Sequence, residues 1–496
     1  MKAFAYASGV IGVVLGLSGC TVGPDHEPPA FAEALGETYR PLIEPEAGGD
    51  EASDDLTAWW ERFDDPALTP LIERALSGSL DLAAARERIV AARLRRGIAN
   101  ADRLPRLDGE GSYLYTETGD EAVAFNGGPP GTEQDLYALG VVAGWEIDLW
   151  GRVARLVEAA DAEIGFAVED FRAARVALAA EVARELILVR ALDAERATVE
   201  AGIVADGDAL SIARARADAG FGDELDASRA ERVLEENRAL LPRIEGDRRE
   251  AVLRLAVLLG VNPREVVVEP LTESDDETPL LAGDTSLPAL GVPAELLNRR
   301  PDLRRAERAV AAANARIGAA EGDRFPKLTL SGTLTLQGPD LGDAVNPDAR
   351  FLGIGPGFTV PLFDAGRIDN NVKLAESERR QAMLAYEQTV VNAVAEVEAA
   401  AFRYDRDGAR LDRLRTAEDA ARRTETLALD RYRVGAADFL SVTDATTQRL
   451  AIRRQRIDAE RAALVRLTDL YAALGGGWDA SANDPRVEAA DAADAG

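Results

Sequence analysis

Two side chains in this sequence could support nucleophilic or metal chemistry near neutral pH, and both lie near the N-terminus. Cys20 is the only cysteine among 496 residues and His26 the only histidine. A Cys/His or Ser/His pair therefore has almost nothing to form from, and histidine-centred catalysis and most zinc sites are excluded with it. His26 stands in the Pro-rich stretch "GPDHEPPA", where a solvated surface histidine is expected. Cys20 has a more specific setting. Lys2 precedes an apolar run from Ala3 to Leu17, too short to cross a bilayer as a mature helix, so residues 1–19 read as a signal peptide. Leu17, Ser18 and Gly19 before Cys20 match the bacterial lipobox, in which the cysteine sulfur is acylated and becomes the first mature residue. Cys20 is thus the expected lipid attachment, and Thr21 after it, in place of aspartate, favours the outer membrane. No intrachain disulfide is possible with one cysteine.

Carboxylates are the remaining reactive groups. Asp and Glu number 87 against 57 Lys and Arg, a formal net charge of −30, which argues against a nucleic-acid partner. The sequence carries no phosphate-binding loop, and carboxylates scattered over solvated helix faces do not make an active site. The expectation is a non-enzyme with no catalytic residues, no metal and no cofactor beyond the lipid on Cys20.

The elements that hold these residues come in duplicate. "GRVARLVEAADAEIGFAVEDF" from Gly151 matches "GRIDNNVKLAESERRQAMLAY" from Gly366, and the same spacing of 215 links Gly220 to Gly435 and Gly260 to Gly475. Upstream, "DLAAARERIVAARLRRGIANADRLPRL" from Asp81 matches "DLRRAERAVAAANARIGAAEGDRFPKL" from Asp302 at a spacing of 221. Each unit predicts a helix (about 66–103 and 302–323) stopped by Pro105 or Pro326, two strands, and a long helical hairpin. Strands are expected near 106–118 and 136–149, then near 327–338 and 350–362. In "YALGVVAGWEIDL" the odd positions are apolar, and in "KLTLSGTLTLQG" leucines alternate with Thr and Ser, the period of a half-buried strand. Helices from about 151 to 217 and 366 to 433 would each run on the order of 100 Å. Leu450, Ile457, Leu464 and Tyr471 recur every seven residues in the second return, and Pro242 predicts a kink in the first. The resulting division is 1–19 signal peptide, 20–60 lipid-anchored extended segment, 61–261 first repeat, 262–301 linker, 302–475 second repeat and 476–496 disordered tail. Four strands per chain cannot close a barrel, and open edges are not tolerated in lipid, so several copies are required.

The motifs "CTVGPDHEPP", "WEIDLWGR", "NRRPDLRRAE", "RFPKLTLSG", "PLFDAGR" and "RYRVGAADFLSVTDA", in this order, resemble the outer membrane factor (TolC-like) family, in particular its NodT-type efflux lipoproteins. The resemblance implies an α+β membrane protein: a homotrimer whose twelve-stranded transmembrane β-barrel, four strands per chain, continues into a long periplasmic α-helical barrel. It implies the passive outer-membrane exit channel of a tripartite efflux pump in a Gram-negative bacterium. The implied partners are a periplasmic membrane-fusion adaptor, an RND-type inner-membrane transporter and outer-membrane lipids. It also implies a gate at the periplasmic hairpin tips, whose turns carry Gly220 and Gly435. By alignment Leu440 falls at an apolar constriction, Asp444 at an acidic ring, and Tyr432 and Asp226 at a hydrogen-bonded link of the closed state. Ala437 and Ser441 depart from the family's pattern, where an arginine and a second acidic position occur. The competing expectation is a lipid-anchored periplasmic coiled-coil scaffold or adaptor without a pore, which accounts for the helices but not for the repeated strand pairs.

Overall fold

The computed structural model describes residues 21–31, 56–119, 131–270, 280, 281, 283 and 299–478. Cys20, the signal peptide and residues 32–55 of the lipid-anchored extended segment lie outside them. In chain order the main elements are α1 (Leu68–Gly78), α2 (Leu80–Ala101), β1 (Arg106–Glu117), β2 (Glu133–Ile147), α3 (Arg152–Asp218), α4 (Glu224–Arg238) and α5 (Leu240–Leu259). The second half repeats them as α6 (Pro301–Gly322), β3 (Lys327–Gly338), β4 (Arg350–Thr359), α7 (Arg367–Arg433) and α8 (Phe439–Ala473). The chain divides into two compact units, one of residues 1–29, 88–167 and 305–386, the other of 30–87, 168–304 and 387–496.

The first unit holds the sheet, four antiparallel strands in the order β1-β2-β3-β4. Leu107 opposes Ala143 and Tyr113 opposes Tyr137; Ile147 opposes Leu328 and Val141 opposes Leu334; Leu328 opposes Phe358 and Leu334 opposes Leu352. Opposed residues share a face, so these residues form one apolar face, while Asp108, Glu110, Thr329, Ser331, Thr333 and Thr335 lie on the other. Leu107, Leu139, Val141, Leu334, Leu352, Ile354 and Phe358 are all exposed.

Turns into the long helices are built alike. Gly151 and Gly366 have φ of 75° and 83°, values that glycine reaches without a Cβ penalty. Asp148 accepts from Ala154 N (2.8 Å), and Asp364 from Gly366 N (2.9 Å) and Ile368 N (2.7 Å), satisfying amides that a helix start leaves open. Trp150 stacks on Phe325 (4.9 Å between centroids) and donates Nε1–H to Pro326 O (2.8 Å).

An extended segment from Thr21 lies on this unit. The buried Arg155 guanidinium donates to Val22 O (3.1 Å), Gly23 O (3.2 Å) and Asp25 Oδ1 (2.8 Å), and Asn314 Nδ2 donates to Pro24 O (2.8 Å). A side chain at Gly23 would strike the backbone of Gly318. His26, expected to be a free surface residue, instead pairs through Nε2 with Glu307 Oε1 at 2.7 Å.

The second unit is helical. Trp59, Phe63, Leu68, Ile72, Leu186, Ile187, Leu255, Leu259, Leu467 and Tyr471 are fully buried, with Trp59 stacked on Tyr471 at 5.1 Å. A buried Arg190 and Asp65 are joined by two hydrogen bonds of 2.8 and 3.1 Å. Three boundaries differ from the sequence reading. The extended segment drawn to residue 60 already ends at a 3₁₀ helix, Leu56–Phe63, because its Trp59, Trp60 and Phe63 belong to this core. The first helix is two, broken at Ser79, whose ψ of 128° is extended. The first return has the interruption expected from Pro242: it is two helices, parted at Ala239, where Pro242 supplies no N–H to the carbonyl four residues back. Residues 476–478, drawn as the start of a disordered tail, are buried instead. Trp478 is buried, donates Nε1–H to Arg299 O (3.1 Å), and lies under the guanidinium groups of Arg172 (4.7 Å) and Arg304 (5.4 Å). In α8 the heptad residues Leu450, Ile457, Leu464 and Tyr471 are buried.

Candidate gate at the helical hairpin tips

Both hairpin tips lie in the second unit and are built by one rule applied twice. At the first, Gly220 (φ 73°) ends α3, with Phe221 N donating to Arg216 O (2.8 Å) and Gly220 N to Ala217 O (3.0 Å). At the second, Gly435 (φ 76°) ends α7, with Ala436 N donating to Arg431 O (2.8 Å) and Gly435 N to Tyr432 O (3.0 Å). A left-handed glycine lets the chain turn back and satisfy the last helical carbonyls. Three residues on, an aspartate caps the returning helix. Asp223 accepts from Leu225 N (3.1 Å), and Asp438 from Ser441 N (2.9 Å) and Ser441 Oγ (2.6 Å). The Ser441 hydroxyl and then its amide hold the Asp438 carboxyl below the usual carboxylate value.

The tips are joined by a small core of Leu210, Ala213, Ala230, Leu234, Tyr432, Phe439 and Val442. Tyr432 is 2% exposed and meets Phe439 edge-on at 5.3 Å. The expected hydrogen bond between Tyr432 and Asp226 is not made: Tyr432 Oη is buried without a hydrogen-bond partner among the described residues, and the Asp226 carboxylate pairs with Arg229 at 3.8 Å. Burial, and more weakly the Asp226 charge, raise the Tyr432 phenol.

The residue that links the tips is Arg216, which the sequence reading passed over. From the last turn of α3 it donates Nη1–H to Tyr432 O (2.6 Å) and Nη2–H to Phe221 O (3.4 Å), and its guanidinium lies 4.6 Å over the Tyr432 ring. A cation at the C-terminal end of α7 also meets the negative end of that helix dipole. Leu440, 54% exposed, and Asp444, also exposed, lie one turn apart on the outward face of α8, with Ser441 exposed beside them.

Behind the tips the helices are tied by polar contacts. Asn237 Nδ2 donates to the buried Asp206 (2.6 Å), and Arg449 pairs with Glu425 (2.5 Å). Desolvation is the largest influence on Asp206 and raises its pKa. Deeper still, Glu418 receives Arg453 (2.8 Å) and Arg456 (2.6 Å), and Arg456 also pairs with Glu460 (3.1 Å). All four are buried. Glu460 Oε1 also accepts from Leu280 N (2.9 Å), fixing part of the linker between the repeats. Among the described residues, no group of three His, Cys, Asp or Glu side chains suits a metal ion.

Arg216 and a shared core thus tie the two tips, with Leu440 and Asp444 exposed on one face of α8. Comparison with known proteins identifies the family. The family model for outer membrane efflux proteins matches residues 71–261 and 292–476. A solvent efflux pump outer membrane protein, SrpC of Pseudomonas putida, is 29% identical over 477 residues, 95% of this chain and 98% of that protein. Nodulation protein T of Rhizobium leguminosarum bv. viciae is 30% identical over 459 residues, 90% of this chain and 88% of that protein. The solved outer-membrane channel OprN superposes with a TM-score of 0.81 at 31% identity, covering 92% of this chain and all of that one. On this evidence the chain belongs to the outer membrane efflux protein family and is an efflux exit channel of the outer membrane.

Proposed function

We propose that three copies of the chain close a transmembrane β-barrel with their sheets and a periplasmic tunnel with their helices. The assembly conducts solutes passively from an adaptor and an inner-membrane transporter, of the RND type, to the outside. The observation that carries this reading is the sheet: one face apolar and exposed, the other polar, and both outer strands with a free edge among the described residues. Such a sheet suits lipid on one side and water on the other only when its edges are closed. No described helix is long and apolar enough to cross a membrane.

In this reading Cys20 carries a covalent lipid. The docked segment begins at Thr21, which lies against Gly151 between β2 and α3. The hairpin tips form the gate, with Leu440 as its apolar constriction and three copies of Asp444 as an acidic ring that attracts cations. Neighbouring carboxylates on a narrow axis titrate together. Arg216 takes the place of the Tyr432–Asp226 link in holding one subunit's tips together, and so supplies the cation that Ala437 lacks. Native mass spectrometry of detergent-solubilised protein, followed by release of a trapped small dye from proteoliposomes, tests the proposal. Three-chain particles that release dye support it; three-chain, inserted particles that retain dye in the unmodified chain and in Arg216→Ala alike overturn the channel and leave a tethered scaffold.

A further inference from the structure

The helical unit contains a cavity of about 440 Å³, within the range of about 300–1,000 Å³ usual for small-ligand sites. It runs along α3, α7 and α8 and has two unlike ends. Val176 and six alanines from those helices form its floor, and Arg300 and Asp302 close it at the start of α6. Arg300 is saturated there: it donates to Asp302 (2.6 and 3.0 Å), Glu396 (2.8 Å) and Ala473 O (2.8 Å).

The other end, two turns further along α7, is rich in cations. Arg184, Arg403 and Arg466 stand there around a single lining carboxylate, Asp469. Asp469 is shared, accepting from Arg184 at 3.0 Å and from Arg466 at 3.3 Å. Arg466 Nε lies 3.8 Å from Asp407, too far for a hydrogen bond, and is buried without an acceptor among the described residues. Arg403, exposed one turn before Asp407, makes no hydrogen bond or ion pair among the described residues. Four guanidinium groups thus line the cavity against three carboxylates, one positive charge in excess.

The internal repeat shows that helix packing does not demand these cations. The spacing of 215 sets Leu188 at the place of Arg403 and Ala251 at that of Arg466. Leu188 packs against Leu192, Val199 and Ile244, and Ala251 is fully buried. One repeat closes these positions with apolar side chains, and the other opens them and supplies guanidinium. Nor is the cavity a flaw in the core. On α8, Arg466, Asp469 and Ala473 lie opposite Leu464, Leu467 and Tyr471, which are the buried core residues.

We propose that this cavity binds a monoanionic amphiphile, its carboxylate held by Arg403 and Arg466 and its short alkyl chain laid along the alanines toward Arg300. One charge in excess suits one carboxylate, which a guanidinium fork binds through charge-assisted hydrogen bonds. The helix rises about 10 Å between Glu396 and Arg403, which limits the chain to a short one. The inference goes beyond the exit-channel reading and does not depend on it, because a single chain supplies every lining residue.

Calorimetric titration of the full-length protein in nonionic detergent tests the site, with titration into protein-free detergent as the blank. Octanoate should bind saturably, once per chain, and affinity should rise about twofold to fourfold per methylene from butanoate to octanoate. Octylammonium, with the same chain and the opposite charge, should not bind. Arg403→Gln should weaken octanoate about tenfold, the effect of one charge-assisted hydrogen bond at an exposed site, and Arg403→Lys should restore part of it. Ala177→Phe, at an exposed lining position, should fill the floor and abolish binding. Absence of saturable octanoate binding overturns the proposal. Equal binding of octylammonium overturns the headgroup assignment, and affinity unchanged in both Arg403→Gln and Ala177→Phe places the ligand elsewhere and overturns the site.

Discussion

Replacing Arg216 tests the gate most sharply, because one side chain carries the link between the tips. Its bond to Tyr432 O, at 2.6 Å, is charge-assisted, a class that contributes about 1.5–3 kcal/mol. Its position 4.6 Å over the Tyr432 ring adds about 0.5–1 kcal/mol at a partly exposed site. Arg216 is only half-buried, so solvent screening favours the lower end, about 2 kcal/mol in all. At about 1.4 kcal/mol per factor of ten, Arg216→Ala should raise the open-to-closed ratio about 30-fold for each subunit's tip pair, and by more for the three together. Arg216→Lys, which keeps the charge and loses the fork, should fall between. Open probability in single-channel recordings measures this, and Tyr432→Phe supplies the contrast. Its hydroxyl has no hydrogen-bond partner among the described residues, so removing it should leave gating unchanged, whereas a Tyr432–Asp226 lock would require it to open the channel. Unaltered gating in Arg216→Ala together with an opened Tyr432→Phe would refute the reasoning.

Other expectations follow from the same contacts. Glu418→Ala removes the buried carboxylate that Arg453 and Arg456 share, leaving Arg456 its pair with Glu460, and should cost about 3 kcal/mol, read as a lowered thermal midpoint. For Asp206 the folded-state pKa is raised by burial, so its contribution favours folding below the ordinary value of 3.8 and declines as pH rises through the raised midpoint. Asp206→Asn should remove that decline, seen as a flatter melting temperature between acid and neutral pH than in the unmodified protein. Asp444→Ala should reduce the preference for cations, measured as a reversal potential closer to zero in a salt gradient, while Leu440→Ala should raise conductance.

The repeat, the strands and the turn glycines were legible because each is set by local chemistry. Alternating Leu and Thr specify β3, and the positive φ at Gly220 and Gly435 is a demand met within four residues of chain. The caps Asp223 and Asp438 follow from the same local rule. What the sequence withheld depends on residues far apart in the chain. Arg216 reads as one more helical arginine until the fold brings Tyr432 to it. His26 reads as solvated until Glu307 arrives. Trp478 reads as part of a polar tail until Arg172 and Arg304 cover its ring. The break at Ser79 had no proline to announce it, and the backbone of Leu259 packed against Gly78 marks where the chain must step aside. For Tyr432 and Asp226, alignment brought the right tyrosine to the right core but not its bond, because Arg229, one turn from Asp226, takes that carboxylate first.

The central claim is that this chain makes an aqueous passage. Single-channel recording of the purified full-length protein in planar bilayers tests it most directly. The account predicts discrete, cation-preferring current steps from three-chain particles, with open times that lengthen in Arg216→Ala. Silent bilayers from protein shown to be inserted and trimeric, in the unmodified chain and in Arg216→Ala alike, would contradict it.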